Sequence, residues 1–501
     1  MRCTRLVIWI VLFLSTRATA AQTAERSRPD FVAFDTVVAR AARDWRVPGL
    51  AIAVVKGDSL VFAKGYGVLE AGKPEPVTAH TRFAIGSTTK AMTTAALAML
   101  VDEGRVRWDD RVIDFLPEFR LSDPWVTREL TVRDVLTHRS GLPGVDLLWL
   151  RGDLNNAEMI RRLRTVRSSS SFRSRWQYNN VAYSIAGAIV ARVSGMPWEQ
   201  FVRTRIFAPL QMRESLALVA DLPGQANVAK PHALQSDAVR TVPVRSTDGV
   251  ASVGSVWSSV SDMSRWMRFM LDSGRAGTTR LMTPSTFREI VAPQIPAPMS
   301  EYPALTLARP NSFSYALGWF VQDYHGQTIW MHTGSIDGMS AIIGLMPDRR
   351  MGVYVLANLD HAEVRHALMY QAFDLYESGP ARNWSGDLRA LFDSAARQRQ
   401  AAVPPPPTPA SGPSLALDRY AGTYADSTYG DVVVGFADGA LRARFGTMDF
   451  GPLEATRYEG FKARGGSNGT AGTPITFMPD GAGGVASVRV LGVTFTRLSG
   501  K

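Results

Sequence analysis

The sequence predicts an α+β protein in two unequal parts. The first is a mainly antiparallel sheet with flanking helices and a helical subdomain, and the second is a small all-β barrel. Three observations carry this reading. Strand-like segments stand at both ends of residues 30–385, with helical patterns between them. The stretch Ala-Ala-Val-Pro-Pro-Pro-Pro-Thr-Pro-Ala-Ser-Gly-Pro at 401–413 breaks the composition within a linker assigned to 395–414, and it favours an extended, semi-rigid chain. Over 415–501 helical periodicity vanishes, and short strands alternate with Gly-rich or Asp-Gly turns.

In chain order, residues 31–45 carry an amphipathic helix closed by Val47-Pro48-Gly49. Strands at 50–55 and 60–66 flank Lys56-Gly57-Asp58-Ser59, a turn of hairpin composition. An extended segment at 83–87 runs into a helix at 88–104 with a broad apolar face. Helical patterns recur at 109–116, 131–136, 156–166, 181–193, 198–207 and 263–271. Residues 314–322, 327–332, 339–345 and 351–357 read as strands, followed by a helix at 362–376. In the last part the strands are 431–436, 441–445, 475–478, 485–490 and 493–498, the pattern of an up-and-down barrel.

Bulk properties exclude several function classes. The chain has 501 residues, 46% apolar and 20% charged, the composition of a globular protein long enough for two domains. Its net charge of +11 is carried mostly by arginine, scattered without basic runs or aromatic interleaving, so no nucleic-acid partner is expected. Residues 1–20 read as a signal peptide: Arg2 and Arg5, an apolar run at 6–14, then Ala18-Thr19-Ala20. That run is shorter than the roughly 20 residues of a bilayer span. Export to the periplasm or beyond is therefore expected, with no stable membrane anchor after cleavage; an uncleaved anchor is the alternative. The single cysteine, Cys3, lies in this leader, so a disulfide framework and a cysteine nucleophile are both excluded.

Three short motifs carry chemistry. Ser87-Thr88-Thr89-Lys90 places a hydroxyl at a helix start, where free N–H groups gather, and an amine one turn later on the same face. Those are the parts of an activated nucleophile. Tyr178-Asn179-Asn180 precedes a helix, and His332-Thr333-Gly334 ends a strand. No other lysine follows a serine by three residues, no other tyrosine precedes an asparagine by two, and no other His-x-Gly occurs.

In these three motifs, in this order, the sequence resembles the serine β-lactamase and penicillin-binding-protein superfamily, whose pattern is S-x-x-K, [YS]-x-N and [KH]-[TS]-G. Tyr178 is similar to the branch of class C β-lactamases, D-alanyl-D-alanine peptidases, D-aminopeptidases and esterases. Val47-Pro48-Gly49, Leu136-Thr137-His138-Arg139-Ser140-Gly141-Leu142-Pro143 and Tyr183 agree with it. Tyr420-Ala421-Gly422-Thr423-Tyr424 resembles the start of a lipocalin-like domain appended to some of these hydrolases.

The resemblance implies a β-lactamase/transpeptidase-like fold over residues 30–385 and an acyl-enzyme mechanism without metal or cofactor. Ser87 is the implied nucleophile, and Lys90 accepts or relays its proton, with a pKa lowered by burial. Tyr178, as a phenolate, is the other candidate base, and the choice between the two stays open. Asn180 would hold Lys90 and a substrate amide. The backbone N–H groups of Ser87 and Ser335 would form an oxyanion hole, where losing one donor costs about 3 kcal/mol. Gly334 would let a peptide-like substrate approach the strand. Class C β-lactamases carry Lys-Thr-Gly at the third motif, whereas His332-Thr333-Gly334 is similar to the peptidases and aminopeptidases. A histidine there would hold a substrate carboxylate less firmly than lysine. The expected substrate is thus a small molecule or peptide cleaved at an amide, peptide or ester carbonyl. The alternatives are a β-lactamase and a non-catalytic receptor on the same fold. A phosphate-binding loop fails on spacing at Lys90, and no histidine pair has zincin spacing. Specificity is expected from loops around 147–155 and 296–310.

Overall fold

The computed structural model describes residues 29–235, 237–376, 382–402, 412–466 and 469–498. Residues 1–20, expected to be a signal peptide, and most of the Pro-rich stretch lie outside these residues. The central sheet is antiparallel throughout. Its eight strands run in the order Ser59–Gly67, Gly49–Lys56, Met351–Ala357, Met339–Met346, Gln327–Ile336, Phe320–Tyr324, Phe313–Tyr315 and Ile295–Pro296. Chain neighbours pair with one another, except that the N-terminal hairpin closes on Met351–Ala357 with Leu50 opposite Ala357.

Alternation explains why the inner strands read as unbroken apolar runs. In Gly49–Lys56, Ala51, Ala53 and Val55 enter one core, while Leu50, Ile52 and Val54 enter the other. Tyr354 and Leu356 likewise oppose Val353 and Val355. Both faces of the sheet are covered, so period 2 is hidden in hydrophobicity and visible only in which core each residue joins. The helix Val260–Leu271 packs on the first face, and Phe31–Asp44 and Val364–Asp374 on the second.

The helix Thr89–Asp102 lies between this sheet and the helical subdomain. Every residue from Thr89 to Leu100 is buried, so the expected apolar face is in fact the whole circumference. One of its buried threonine hydroxyls, that of Thr93, donates to the Ser252 carbonyl at 2.6 Å. Across from it runs Asn180–Ser194, begun by the Asn179 side chain accepting from the Ala182 N–H at 3.1 Å and ended by Gly195 at φ 76°.

Three expectations need correction. The strand expected at 314–322 is a hairpin of Phe313–Tyr315 and Phe320–Tyr324. Residues 395–401, assigned to the linker, continue the helix Trp384–Ala401. The barrel has eight strands, with Gly422–Asp426, Met448–Arg457 and Gly460–Ala463 added to the five expected. It is closed and up-and-down, each strand pairing with its chain neighbour and the first with the last. Closure leaves no free edge, and Tyr420, Tyr424, Phe450 and Phe477 fill the interior.

Candidate active site

The nucleophile turn is built by close backbone contact. Gly86–Thr88 forms a single 3-10 turn ahead of the helix Thr89–Asp102, with Gly86 at φ +53°. A Cβ on Gly86 would stand 2.7 Å from Ser335 N, and one on Gly334 would stand 1.9 Å from the Ile85 carbonyl oxygen and 3.1 Å from Ser87 N. Two glycines thus let the third motif press directly on the first, which brings the amides of Ser87 and Ser335 to one backbone crossing. The space at Gly334 is filled by Ile85 rather than left for a substrate, which corrects the role expected for it.

Lys90 is completely buried. Its Nζ lies 2.8 Å from Ser87 Oγ, 2.8 Å from Asn180 Oδ1 and 3.3 Å from the Val253 carbonyl. Burial pulls its pKa down to about 7, against the charge of Asp146, which raises it. The Tyr178 ring centroid is 5.0 Å from Lys90 Nζ, and the Ser87 hydroxyl is near enough to its phenol to pull the pKa down against burial. Burial holds that phenol well above the ordinary tyrosine range, so Tyr178 carries its proton at neutral pH. Ser87, Lys90, Tyr178 and Asn180, separated by up to 93 positions, therefore meet as the motifs suggest.

The third motif divides by side of the strand. Thr333 and Ser335 line the cleft, whereas His332 does not. Thr333 Oγ1 is 2.9 Å from Tyr302 Oη. His332 is turned away and 1% exposed, with Nδ1 2.6 Å from the Thr333 carbonyl and Nε2 3.0 Å from Tyr315 Oη. A carbonyl accepts only, so Nδ1 carries the proton and Nε2 accepts from the tyrosine. Burial, then the charge of Lys90, pull this ring down to about 3, so it is neutral. The expectation that His332 would touch a substrate carboxylate is corrected: it braces Tyr315 behind the strand.

Sequence reasoning missed the remaining walls. Asp146 Oδ1 accepts from Asn180 Nδ2 and from Trp149 Nε1, each at 3.0 Å. Arg365, 3% exposed, donates to the Gly334 carbonyl and to Ser335 Oγ, each at 2.8 Å, and pairs with Glu363 at 2.8 Å. The two loops expected to set specificity do supply cleft residues, Trp149 from one and Glu301, Tyr302 and Pro303 from the other. The cleft, of about 490 Å³, is lined by Asp146, Glu301, Asp337, Asp360 and Glu363, against the guanidinium of Arg365 and the imidazole of His361, whose pKa its hydrogen bond to Asp360 raises. Among the described residues no group of three or more His, Cys, Asp or Glu side chains is placed to hold a metal ion, and no helix is long and apolar enough to cross a membrane.

Comparison with known proteins agrees with this geometry. The Beta-lactamase family model matches residues 34–376, and a domain of unknown function, DUF3471, matches 406–499. The chain is 30% identical over 447 residues to the unguisins hydrolase ungD of Aspergillus violaceofuscus, covering 82% of this chain and 78% of that one. Among solved structures, the octameric penicillin-binding protein homologue from Pyrococcus abyssi superposes with a TM-score of 0.61 at 20% identity, covering 93% of this chain and 99% of that one. The D-amino acid amidase from Ochrobactrum anthropi SV3 superposes with a TM-score of 0.57 at 20% identity, over 73% of this chain and 100% of that one. The chain belongs to the β-lactamase family and is a serine hydrolase acting on amide, peptide or ester bonds.

Proposed function

We propose that Ser87 Oγ attacks a carbonyl carbon while Lys90 Nζ takes its proton, giving an acyl-enzyme. One observation carries this reading: the Lys90 amine, 2.8 Å from Ser87 Oγ, has a pKa of about 7 because it is buried. It is thus a base at neutral pH, the condition an efficient proton acceptor must meet. Tyr178 keeps its proton, so the phenolate is not the starting base. Its hydroxyl instead hands a proton to the departing amine or alcohol and regains one from the protonated Lys90 amine, 5.0 Å from its ring centroid. Water then enters along the same path and releases the acid. The amides of Ser87 and Ser335 hold the oxyanion, and Asn180 orients Lys90 and the substrate amide.

The cleft's charge narrows the substrate. Among the described residues its cationic groups are already paired, Arg365 with Glu363 and His361 with Asp360, and His332 behind the strand is neutral, so carboxylates dominate what a substrate carboxylate would meet. A neutral or amine-bearing amide, peptide or ester is favoured over a β-lactam that carries a carboxylate. A D-amino acid amidase on the same fold supports an amide of this kind. Incubation with a fluorophosphonate should label Ser87, and Ser87→Ala should abolish the labelling. Assays on a D-amino-acid amide, a short-chain nitrophenyl ester and a chromogenic cephalosporin should rank the cephalosporin last. Turnover of the cephalosporin ahead of the other two would overturn the substrate reading.

A further inference from the structure

The short helix Leu147–Leu150 has three faces with three different partners. Leu148 is buried in the hydrolase core. Asp146 and Trp149 line the reaction cleft. Leu147 and Leu150 pack against the core of the C-terminal barrel. The helix is therefore a wedge between the two domains, and its cleft-facing edge carries the carboxylate that accepts from Asn180.

The barrel grips this wedge at its C-terminal end. The turn between the strands Ala440–Phe445 and Met448–Arg457 presents Thr447, whose N–H and Oγ1 both donate to the Arg151 carbonyl, at 2.7 and 2.9 Å. Arg151 is 8% exposed; its guanidinium donates to the Tyr429 carbonyl and lies 5.0 Å from the Phe445 ring centroid. Tyr429, on the first barrel hairpin, is near enough to the cleft for the charge of Asp146 to help raise its phenol, after burial. From the hydrolase side Arg245 donates to the Leu150 carbonyl at 2.8 Å and pairs with Asp337 of the cleft wall. A four-residue helix has no intrinsic stability of its own, so these anchors decide where Asp146 stands.

We propose that the barrel is a working part of the reaction site: through this wedge it holds Asp146 on Asn180, and so fixes Asn180 against Lys90. Asp146 is a positioning residue in this scheme, and Thr447 and Arg151 act through it. The inference rests on the Ser87–Lys90 reading above and gives the unassigned C-terminal domain a role in acylation.

The test uses the full chain and the rate of fluorophosphonate labelling of Ser87, with thermal unfolding followed in parallel. Asp146→Ala and Arg151→Ala should each slow labelling about tenfold, and Thr447→Val about threefold, the scale of one or two lost hydrogen bonds. The decisive readout is coupling between Thr447 and Asp146. Thr447→Val should add nothing in the Asp146→Ala background, yet keep its effect in Asp146→Asn, whose amide oxygen still accepts from Asn180 and Trp149. If Thr447→Val lowers only the unfolding midpoint, or slows labelling equally in all three backgrounds, the barrel merely supports the fold and the proposal is overturned. Labelling that survives Ser87→Ala would instead overturn the nucleophile assignment, whatever the barrel variants do.

Discussion

Two fully buried charges in this protein are treated in opposite ways. Asp134, with no exposed side-chain surface, is held by Arg139 at 2.6 Å, by Arg173 at 2.7 Å, and by the N–H and hydroxyl of Thr131 at 3.0 and 2.8 Å. Burial alone would raise its carboxyl, but these partners outweigh it and the pKa falls below 3.8. Lys90 is buried as deeply, yet no carboxylate touches it. Its nearest anionic influence, Asp146, bonds to Asn180 and only partly offsets desolvation. A paired buried charge ties segments together: Asp134 joins the helix Val132–Leu136 to Arg139 and Arg173, in the two segments whose His138 and Gln177 also bond to each other. An unpaired one is ready to lose its proton. Compensation thus marks scaffold, and its absence marks chemistry.

Substitution at each charge should separate these roles. Lys90→Met, which keeps the volume and removes the amine, should slow labelling of Ser87 about a thousandfold, within the range for a lost general base. Its unfolding free energy in urea should hold or rise by about 1 kcal/mol, because a costly buried amine is gone. Asp134→Ala should do the reverse, lowering stability by about 3 kcal/mol, since it strands Arg139 and Arg173 without their partner. If both variants lost stability alike, the distinction would collapse. Gly334→Ala comes next. Its methyl would overlap the Ile85 carbonyl at 1.9 Å, forcing the third motif off the nucleophile turn and slowing labelling about a hundredfold.

The same contrast shows what was legible before the structure. Ser87, Lys90, Tyr178 and Asn180 could be found because their spacing is local and each motif occurs once. Asp146 could not, because it borders a four-residue helix whose partners are spread over both domains and leave no local spacing pattern. His332 was misread although alternation held the answer: with Thr333 and Ser335 facing the cleft, period 2 turns His332 to the other side. The hairpin at 313–324 reads as one strand in the sequence because Ala316, Leu317 and Trp319 stay buried through the turn, and only Gly318, at φ +82°, marks the reversal. In the barrel, Gly422–Asp426 and Met448–Arg457 escaped notice because their outward residues and glycines dilute the apolar alternation.

The mildest prediction concerns pH, where the two charges should leave opposite signatures. Asp134 has a folded pKa below its unfolded 3.8, so its stabilisation is complete above that value and is lost as pH falls through the folded pKa. Lys90 has a folded pKa of about 7 against 10.5 unfolded. Between those values the unfolded chain holds the proton that the folded chain has released, so stability rises with pH, by at most about 1.4 kcal/mol per unit from this one group. Below pH about 7 the penalty is fully present and flat. Labelling of Ser87 should climb through the same midpoint, because only the neutral amine accepts a proton. Urea titrations from pH 7 to 9 should therefore show the wild-type chain gaining steadily on Lys90→Met, while the acylation rate rises through pH about 7 and levels off above it. A stability difference that stays flat between pH 7 and 9 would assign the rate limb to a group other than Lys90.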